Sequence, residues 1–205
     1  MSNPLLSKVN DLIKKYHLEA FKDVAVFMII LLAFHVFWKI FVSNILAVDF
    51  ITNSANWLAG VVFEQAKWFF EITGMNVVPF DKLTVFNSMH DNVFFVPSTN
   101  GYVYVNLSCS GLKQFYQWFF LMMLFPGPWK HKLWFIPVGL IIIHIVNVFR
   151  IIGMVVVTMN IPDHWDFMHD YVARPFFYVV MFLLWVWWNE KIHLKSKKEK
   201  KATSV

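Results

Sequence analysis

The chain has 205 residues, of which 58% are hydrophobic, 19% aromatic and only 15% charged. Soluble domains carry about 25% charged residues, so this composition indicates an integral membrane protein and excludes an ordinary soluble domain. The single cysteine excludes an internal disulfide, a cysteine-rich zinc site and a CxxC redox pair. The net charge of +5 comes mostly from lysines near the two ends, which indicates contact with anionic lipid rather than with nucleic acid.

Charge and hydropathy divide the chain into three regions. Residues 1–22 place apolar side chains at helical spacing between lysines, which predicts an amphipathic cytoplasmic segment or, alternatively, a frayed terminus. Residues 23–190 form the predicted membrane-embedded domain, and residues 191–205 form a basic cytoplasmic tail. Four runs inside the domain are predicted to be full spans, namely 24–42, 110–125, 133–157 and 175–188.

The region between the first two spans is more polar. Residues 48–72 contain charged and amide side chains, and their apolar residues recur every three or four positions, which predicts an amphipathic helix in the interface or against the bundle. Residues 75–106 contain short β-prone runs separated by Pro, Asn and Gly. Open strands cannot face lipid, so these runs predict a β-rich cap. The expected fold is an all-α integral membrane bundle of about four spans plus an amphipathic helix, with a small β-rich extracytoplasmic cap.

The rest of the chain sets the expected topology. Residues 126–132 form a predicted basic turn, residues 158–171 a polar loop, and the last span closes with a tryptophan belt at 185–188. The positive-inside rule places the basic turn and the tail in the cytoplasm, so Cys109 and the 158–171 loop are expected outside. The predicted location is the inner (cytoplasmic) membrane, multi-pass, with the active site facing outside.

Arg150 is the strongest chemical signal in a predicted span. A guanidinium inside a span costs about 2.5–3.5 kcal/mol on insertion scales, so it needs a partner or a wet cavity and suggests function. Asn147 lies one helical turn earlier on the same face, where it can orient Arg150 or a substrate carbonyl. The structural alternative is an ion pair with Asp163, Asp166 or Asp170.

Cys109 is predicted in the first turn of the second span. The helix dipole and a nearby Arg150 favour the nucleophilic thiolate, although an isolated cysteine in an apolar protein is more often an inert small side chain. Ser108 or Ser110 can cap the helix. A neutral histidine near the thiol can take its proton, and His164 and His169 both precede the last span.

The histidines also raise the alternative of a metal site. The sequence has eight histidines but no HExxH motif and no paired His and carboxylate ligands on one span. No metal and no other cofactor are therefore expected.

Three short motifs follow one another along the chain. They are Cys109-Ser110-Gly111, Asn147-x-x-Arg150, and His169 seven residues before Phe176-Phe177. This ordered set resembles the exosortase/archaeosortase family, in a short bacterial form, over roughly residues 90–190. The spacing of the last motif favours His169 over His164.

The resemblance implies a membrane-embedded cysteine transpeptidase or peptidase. Its substrates would be secreted proteins with a C-terminal sorting signal, cleaved on the extracytoplasmic side through a cysteine acyl-enzyme. By family analogy Cys109 is the nucleophile, Arg150 stabilises the thiolate or oxyanion, and His169 acts as acid and base. The expected substrate-binding residues are Asn147, Ser110 and Gly111. The implied partners are the sorting helix, the lipid bilayer and an unidentified acceptor nucleophile or water.

Two other kinds of protein fit the same residues. A non-catalytic membrane scaffold or assembly factor would use the β-rich cap to bind a partner. A small transporter would use Arg150 to bind an anion, but four spans with one buried charge make this interpretation the weakest.

Overall fold

The computed structural model describes residues 19–42, 49–85 and 89–194. The amphipathic segment predicted at 1–22 and the basic tail lie almost entirely outside these residues. The described part is mostly helical with one small sheet, as the sequence predicts. Its elements are α1 (Glu19–Phe37, continued by a π turn, Trp38–Val42), α2 (Asp49–Thr73), β1 (Val78–Val85), β2 (Met89–Val96), β3 (Gly101–Val105), α3 (Leu112–Leu124), α4 (Trp129–Asn160) and α5 (Arg174–Trp188).

Three helical segments of the described chain are long and apolar enough to cross a membrane. They are Phe21–Ile40, Trp129–Asn160 and Pro162–His193. The fourth predicted span, 110–125, is represented by α3 with 13 residues. At about 1.5 Å per residue α3 is about 20 Å long, well short of a hydrocarbon core of about 30 Å. A bundle of four full spans therefore stays a prediction.

The prediction of a polar loop at 158–171 is wrong. Helix α4 continues to Asn160, and the chain becomes helical again at Pro162 through a 3-10 turn, a short α turn and a π turn that ends at Ala173. Proline at the start of a helical turn loses no hydrogen bond, because the first N–H groups have no partner in any case. Trp165 and Met168, both partly buried, pack on the hydrophobic core beside α4 and so anchor this otherwise exposed segment. His169 consequently lies on a helical segment.

An aromatic core joins α1, α3, α4 and α5. Trp185 and Trp188 are 2% and 0% exposed and belong to this core. Their rings lie 4.7 Å from Phe27 and 5.1 Å from Phe135, respectively. The predicted interfacial belt is therefore wrong for these two residues, because a three-residue spacing puts both on the buried face of α5. Trp187, on another face, is 44% exposed.

A second core forms between α2, the sheet and α4. The sheet is an antiparallel meander in the order β1-β2-β3, and Phe94 and Val103 on its inner face are buried. The second half of the apolar stripe of α2, from Val62 to Phe70, covers that face, as its helical spacing predicts. The buried stripe consists of Ala55, Leu58, Ala59, Val62, Phe63, Ala66 and Phe70.

The expected basic turn at 126–132 is mostly the first turn of α4, which begins at Trp129. Lys130 is exposed, but Lys132 is only 3% exposed. Its Nζ donates hydrogen bonds to the carbonyl oxygens of Phe125 (2.7 Å) and Met123 (3.2 Å) at the end of α3. Lys132 therefore caps α3, because the last carbonyls of a helix lack partners within it.

Candidate functional site

Cys109 lies in a short turn ahead of α3. It ends the 3-10 turn Leu107–Cys109, in which Asn106 Oδ1 accepts hydrogen bonds from the N–H (3.1 Å) and hydroxyl (2.6 Å) of Ser108. Helix α3 begins only at Leu112, after Gly111 with φ 80°. The prediction that Cys109 occupies the first turn of this helix is wrong, because the left-handed glycine separates the turn from the helix.

The two serines beside Cys109 have different roles. Ser110 Oγ accepts a hydrogen bond from the N–H of Leu112 (3.2 Å) and donates one to the carbonyl of Leu107 (2.8 Å). Ser110 therefore satisfies one free N–H at the start of α3, as the sequence suggests. Ser108 bonds within the preceding turn and does not cap the helix.

Asn147 anchors this turn to α4. It is 1% exposed, and its Nδ2 donates a hydrogen bond to the carbonyl oxygen of Cys109 (2.9 Å). A Cβ atom on Gly111 would lie 2.9 Å from that same Nδ2. The close approach of the turn to α4 thus requires glycine at 111 and gives Asn147 a positioning role toward Cys109.

One cavity of about 470 Å³ collects Cys109, Arg150 and His169 from three separate segments of the chain. Strand β3 lines one part of it through residues 101–104, and α4 lines another through Arg150, Ile151, Met154 and Thr158. His164 is exposed and is not among the lining residues. Ser110, Gly111 and Asn147 are not among them either, so the structure places them behind the turn, and their part in substrate binding stays a prediction.

The Cys109 thiol is half-buried and has only weak partners. Its Sγ lies 3.7 Å from the carbonyl oxygen of Tyr104, to which the thiol donates, and 3.9 Å from Ser108 Oγ. Contacts of this kind hold a thiol loosely. The sulfur therefore has no strong hydrogen-bond partner among the described residues.

Arg150 is half-buried and forms no ion pair with any residue that the structure describes. Its Nε is buried without a hydrogen-bond partner, and its guanidinium carbon lies 5.6 Å from the centre of the Phe177 ring. The alternative of a structural pair with Asp170 is not observed, because that carboxylate binds His169 and Arg174. A cation–π contact leaves the donors of a guanidinium unused, so Arg150 keeps hydrogen-bonding capacity in the cavity.

His169 is held by two neighbours. Its Nδ1 lies 2.8 Å from Asp170 Oδ1, and its ring stacks on Trp165 at 4.8 Å with the planes 12° apart. Since a carboxylate only accepts, Nδ1 carries the proton in neutral His169, and Nε2 is left to accept one. Arg174 Nη1, 3.0 Å from the same Oδ1, restrains Asp170 in turn.

The sequence suggests Asp170 as a candidate ion-pair partner of Arg150, whereas in the structure Asp170 binds His169 and Arg174. Asp163 and Asp166 lie in the same polar stretch, so composition does not single out Asp170 as the partner of His169. Adjacency to His169 is the only available signal, and it becomes informative once the segment is known to be helical.

A larger apolar groove of about 620 Å³ lies between α1, α3 and α5. His35 and Tyr178 are the only titratable side chains among its lining residues, and none of the lining residues carries a thiol or an aliphatic hydroxyl. No group of three or more His, Cys, Asp or Glu side chains suited to a metal ion occurs in the described residues.

Fold and site together define a membrane-embedded helical protein with a thiol, a guanidinium and an imidazole around one cavity. The family model described as transmembrane exosortase matches residues 24–186 of this chain. The chain therefore belongs to the transmembrane exosortase family, a family of membrane cysteine transpeptidases linked to protein sorting. No curated protein and no solved structure matches the chain.

Proposed function

We propose that this protein cleaves the C-terminal sorting signals of secreted proteins through a thioester on Cys109. The observation that carries the proposal is the single cavity shared by Cys109, Arg150 and His169, three residues that are far apart in the sequence. A nucleophile, a cation for developing negative charge and an oriented imidazole are the components that acyl transfer from a peptide bond requires.

The first half of the reaction forms the acyl-enzyme. His169 Nε2 accepts the thiol proton, and the Cys109 sulfur attacks the carbonyl carbon of the scissile peptide bond. The guanidinium of Arg150 stabilises the thiolate and the oxyanion of the tetrahedral intermediate. The protonated His169 then gives its proton to the leaving amine as the C–N bond breaks. The sorting helix departs with that amine, and the secreted protein stays on Cys109 as a thioester.

The second half releases the protein. His169, neutral again, takes a proton from the acceptor nucleophile or from water as it attacks the thioester carbonyl. The C–S bond breaks, and the proton passes to Cys109, which restores the thiol. The same three side chains therefore serve both halves, with His169 alternating between base and acid.

We further propose that this chemistry takes place on the extracytoplasmic face of the inner membrane. The lysines of the C-terminal tail favour a cytoplasmic end for α5, so the start of α5 and the neighbouring His169 face outward. A substrate anchored in lipid by its sorting helix then presents the peptide bond just outside the bilayer at the level of the cavity.

The test is the Cys109→Ala variant in the native host, followed by intact-mass analysis of the secreted proteins. We expect a set of proteins to keep their C-terminal anchoring helix, because no acyl-enzyme can form. Leu107→Ala, in the same turn but outside the cavity, should process that set normally. Unchanged processing in the Cys109→Ala strain would favour a non-catalytic scaffold or assembly factor.

A further inference from the structure

Strand β3 is an edge of the sheet. The described strands pair in the order β1-β2-β3, so β3 has a hydrogen-bonded neighbour on one side only. Natural proteins usually protect such edges with charged residues, proline or a covering element. The sequence of β3, Gly101–Val105, contains no charged residue and no proline, and residues 101–104 line the cavity that holds Cys109.

The peptide groups on this edge can be assigned from one contact. The carbonyl of Tyr104 accepts the thiol hydrogen of Cys109, which places this peptide group away from the ladder with β2. In an antiparallel pair the N–H and C=O of one residue point to the same side, and successive residues alternate. Tyr102 therefore has the same orientation as Tyr104, whereas Val103 pairs with β2.

The Cys109 thiol is the one partner that the described residues supply to these edge groups, and it reaches only the Tyr104 carbonyl. Neither Tyr102 nor Tyr104 makes a main-chain hydrogen bond beyond the sheet within the described chain. The two side chains are 48% and 39% exposed, whereas Val103 and Val105 are buried in the core. The edge thus offers main-chain donors and acceptors beside the nucleophile, with α4 forming the facing part of the cavity.

We propose, on the basis of the proposed function, that β3 is the substrate-binding strand. The segment of the sorting signal ahead of the anchoring helix would bind in an extended conformation and pair with the edge at Tyr102 and Tyr104. Backbone pairing of this kind supplies affinity that is independent of side chains, while pockets for alternate side chains supply specificity. When the Cys109 thiol loses its proton, the Tyr104 carbonyl becomes free to accept an N–H of the substrate.

The test exploits the geometry of proline. In Tyr102→Pro the edge N–H is lost, but the β2 ladder is kept, because proline is tolerated where the strand N–H faces outward. In the matched variant Tyr102→Val the ring is lost, but the N–H is kept. Val103→Pro removes a ladder hydrogen bond to β2 and serves as the control for loss of processing through misfolding. Processing is measured on the secreted proteins that depend on Cys109.

We expect Tyr102→Pro to slow processing at least about tenfold relative to Tyr102→Val at equal protein level. Proline removes the N–H that would donate to the substrate, and its pyrrolidine ring blocks the edge. Equal rates in the two variants would overturn the strand-pairing proposal and leave the proposed function intact. If processing continues in Cys109→Ala, both proposals fall.

A second measurement remains decisive if Tyr102→Pro does not accumulate. A photoreactive phenylalanine analogue replaces Tyr102 in the Cys109→Ala background, where substrates remain uncleaved. We expect cross-links to the residues just before the anchoring helix of the same secreted proteins. Cross-links only to lipid or to the anchoring helix itself would overturn the proposal. The analogue at Trp57, an exposed position on α2 outside the cavity, is the control.

Discussion

Arg150 is a cation whose surroundings do not explain its presence. Its Nε is buried without a partner, and its described ring contact is the face of Phe177. Structural arginines inside membranes are usually paired, whereas Arg150 has no ion pair with the described residues. The residue therefore fits a role in binding developing negative charge better than a role in stabilising the fold.

We expect Arg150→Lys to lower the processing rate by about two orders of magnitude, which is the usual effect of losing an oxyanion donor. Lysine keeps the charge but lacks the planar fork of donors, so it cannot reproduce the guanidinium geometry. The measurement is the rate at which a Cys109-dependent secreted protein loses its anchor, at matched levels of the two variants. Full activity of Arg150→Lys would show that a positive charge suffices and would contradict a role for the guanidinium fork.

Asp170 is expected to position His169 for proton transfer. In Asp170→Asn the side chain can donate as well as accept, so it no longer selects the tautomer with the proton on Nδ1. We expect the maximal processing rate to fall about tenfold to hundredfold, with little change in the substrate concentration for half-maximal rate. Nitrogen NMR of labelled histidine should show loss of the Nδ1–H tautomer at His169.

Asp166→Asn supplies the matched control, because Asp166 is exposed on the same helical segment and makes no described ion pair. Both variants remove one negative charge close to the site. Equal losses in the two variants would reduce the role of Asp170 to general electrostatics. An unchanged histidine tautomer in Asp170→Asn would also contradict the positioning role.

Among the elements, those with a strong period were predictable. The apolar residues of α2 recur at helical spacing, and the structure buries that stripe, with its second half against the sheet. The short β-prone runs and the turn residues between them likewise indicated the sheet, whose strands are β1, β2 and β3. In these segments local pattern and tertiary packing favour the same conformation.

Other boundaries depend on contacts that a local pattern does not contain. Helix α3 starts late because Gly111 adopts a left-handed conformation against Asn147. The polar segment after Ile161 is helical because Trp165 packs on a core built by distant residues. Lys132 looks like a solvated turn residue, but the end of α3 provides carbonyls for it.

The hydrogen bonds of Lys132 at the junction of α3 and α4 are expected to stabilise the fold. In Lys132→Met the carbonyls of Met123 and Phe125 lose their donor in a buried position, which costs about 1–3 kcal/mol. We expect a lower thermal midpoint of the purified protein in detergent. Lys130→Met, at an exposed position in the same helical turn, is the control and should change the midpoint little. Equal midpoints for the two variants would show that Lys132 is not a cap.

The whole molecule combines two packed regions through α4. Ile143 belongs to the aromatic core with α1, α3 and α5, and Ile151 belongs to the core under α2 and the sheet. Asn147 and Arg150 lie on the part of α4 between and beside these cores. A single helix therefore positions the cysteine turn and the cation, and the segment that follows it positions His169.

The meeting of Cys109, Arg150 and His169 at one cavity agrees with the predicted topology, which put Cys109 and the segment of His169 outside and Arg150 a few residues inside the outer end of its span. The contacts that Asn147 and Asp170 make with these residues could not be predicted, since they depend on helix rotation and on the turn before α3. The side of the membrane that the cavity faces stays a prediction from the lysine distribution.

The central claim, that Cys109 is an external nucleophile, is tested most directly by titrating spheroplasts with a membrane-impermeant maleimide. Cys109 is the only cysteine in the chain, so the alkylated fraction of the purified protein reports on this thiol alone. We predict that processing of the Cys109-dependent secreted proteins falls in proportion to the alkylated fraction. Complete alkylation with undiminished processing, or labelling only after the cytoplasmic side is opened, would contradict the claim.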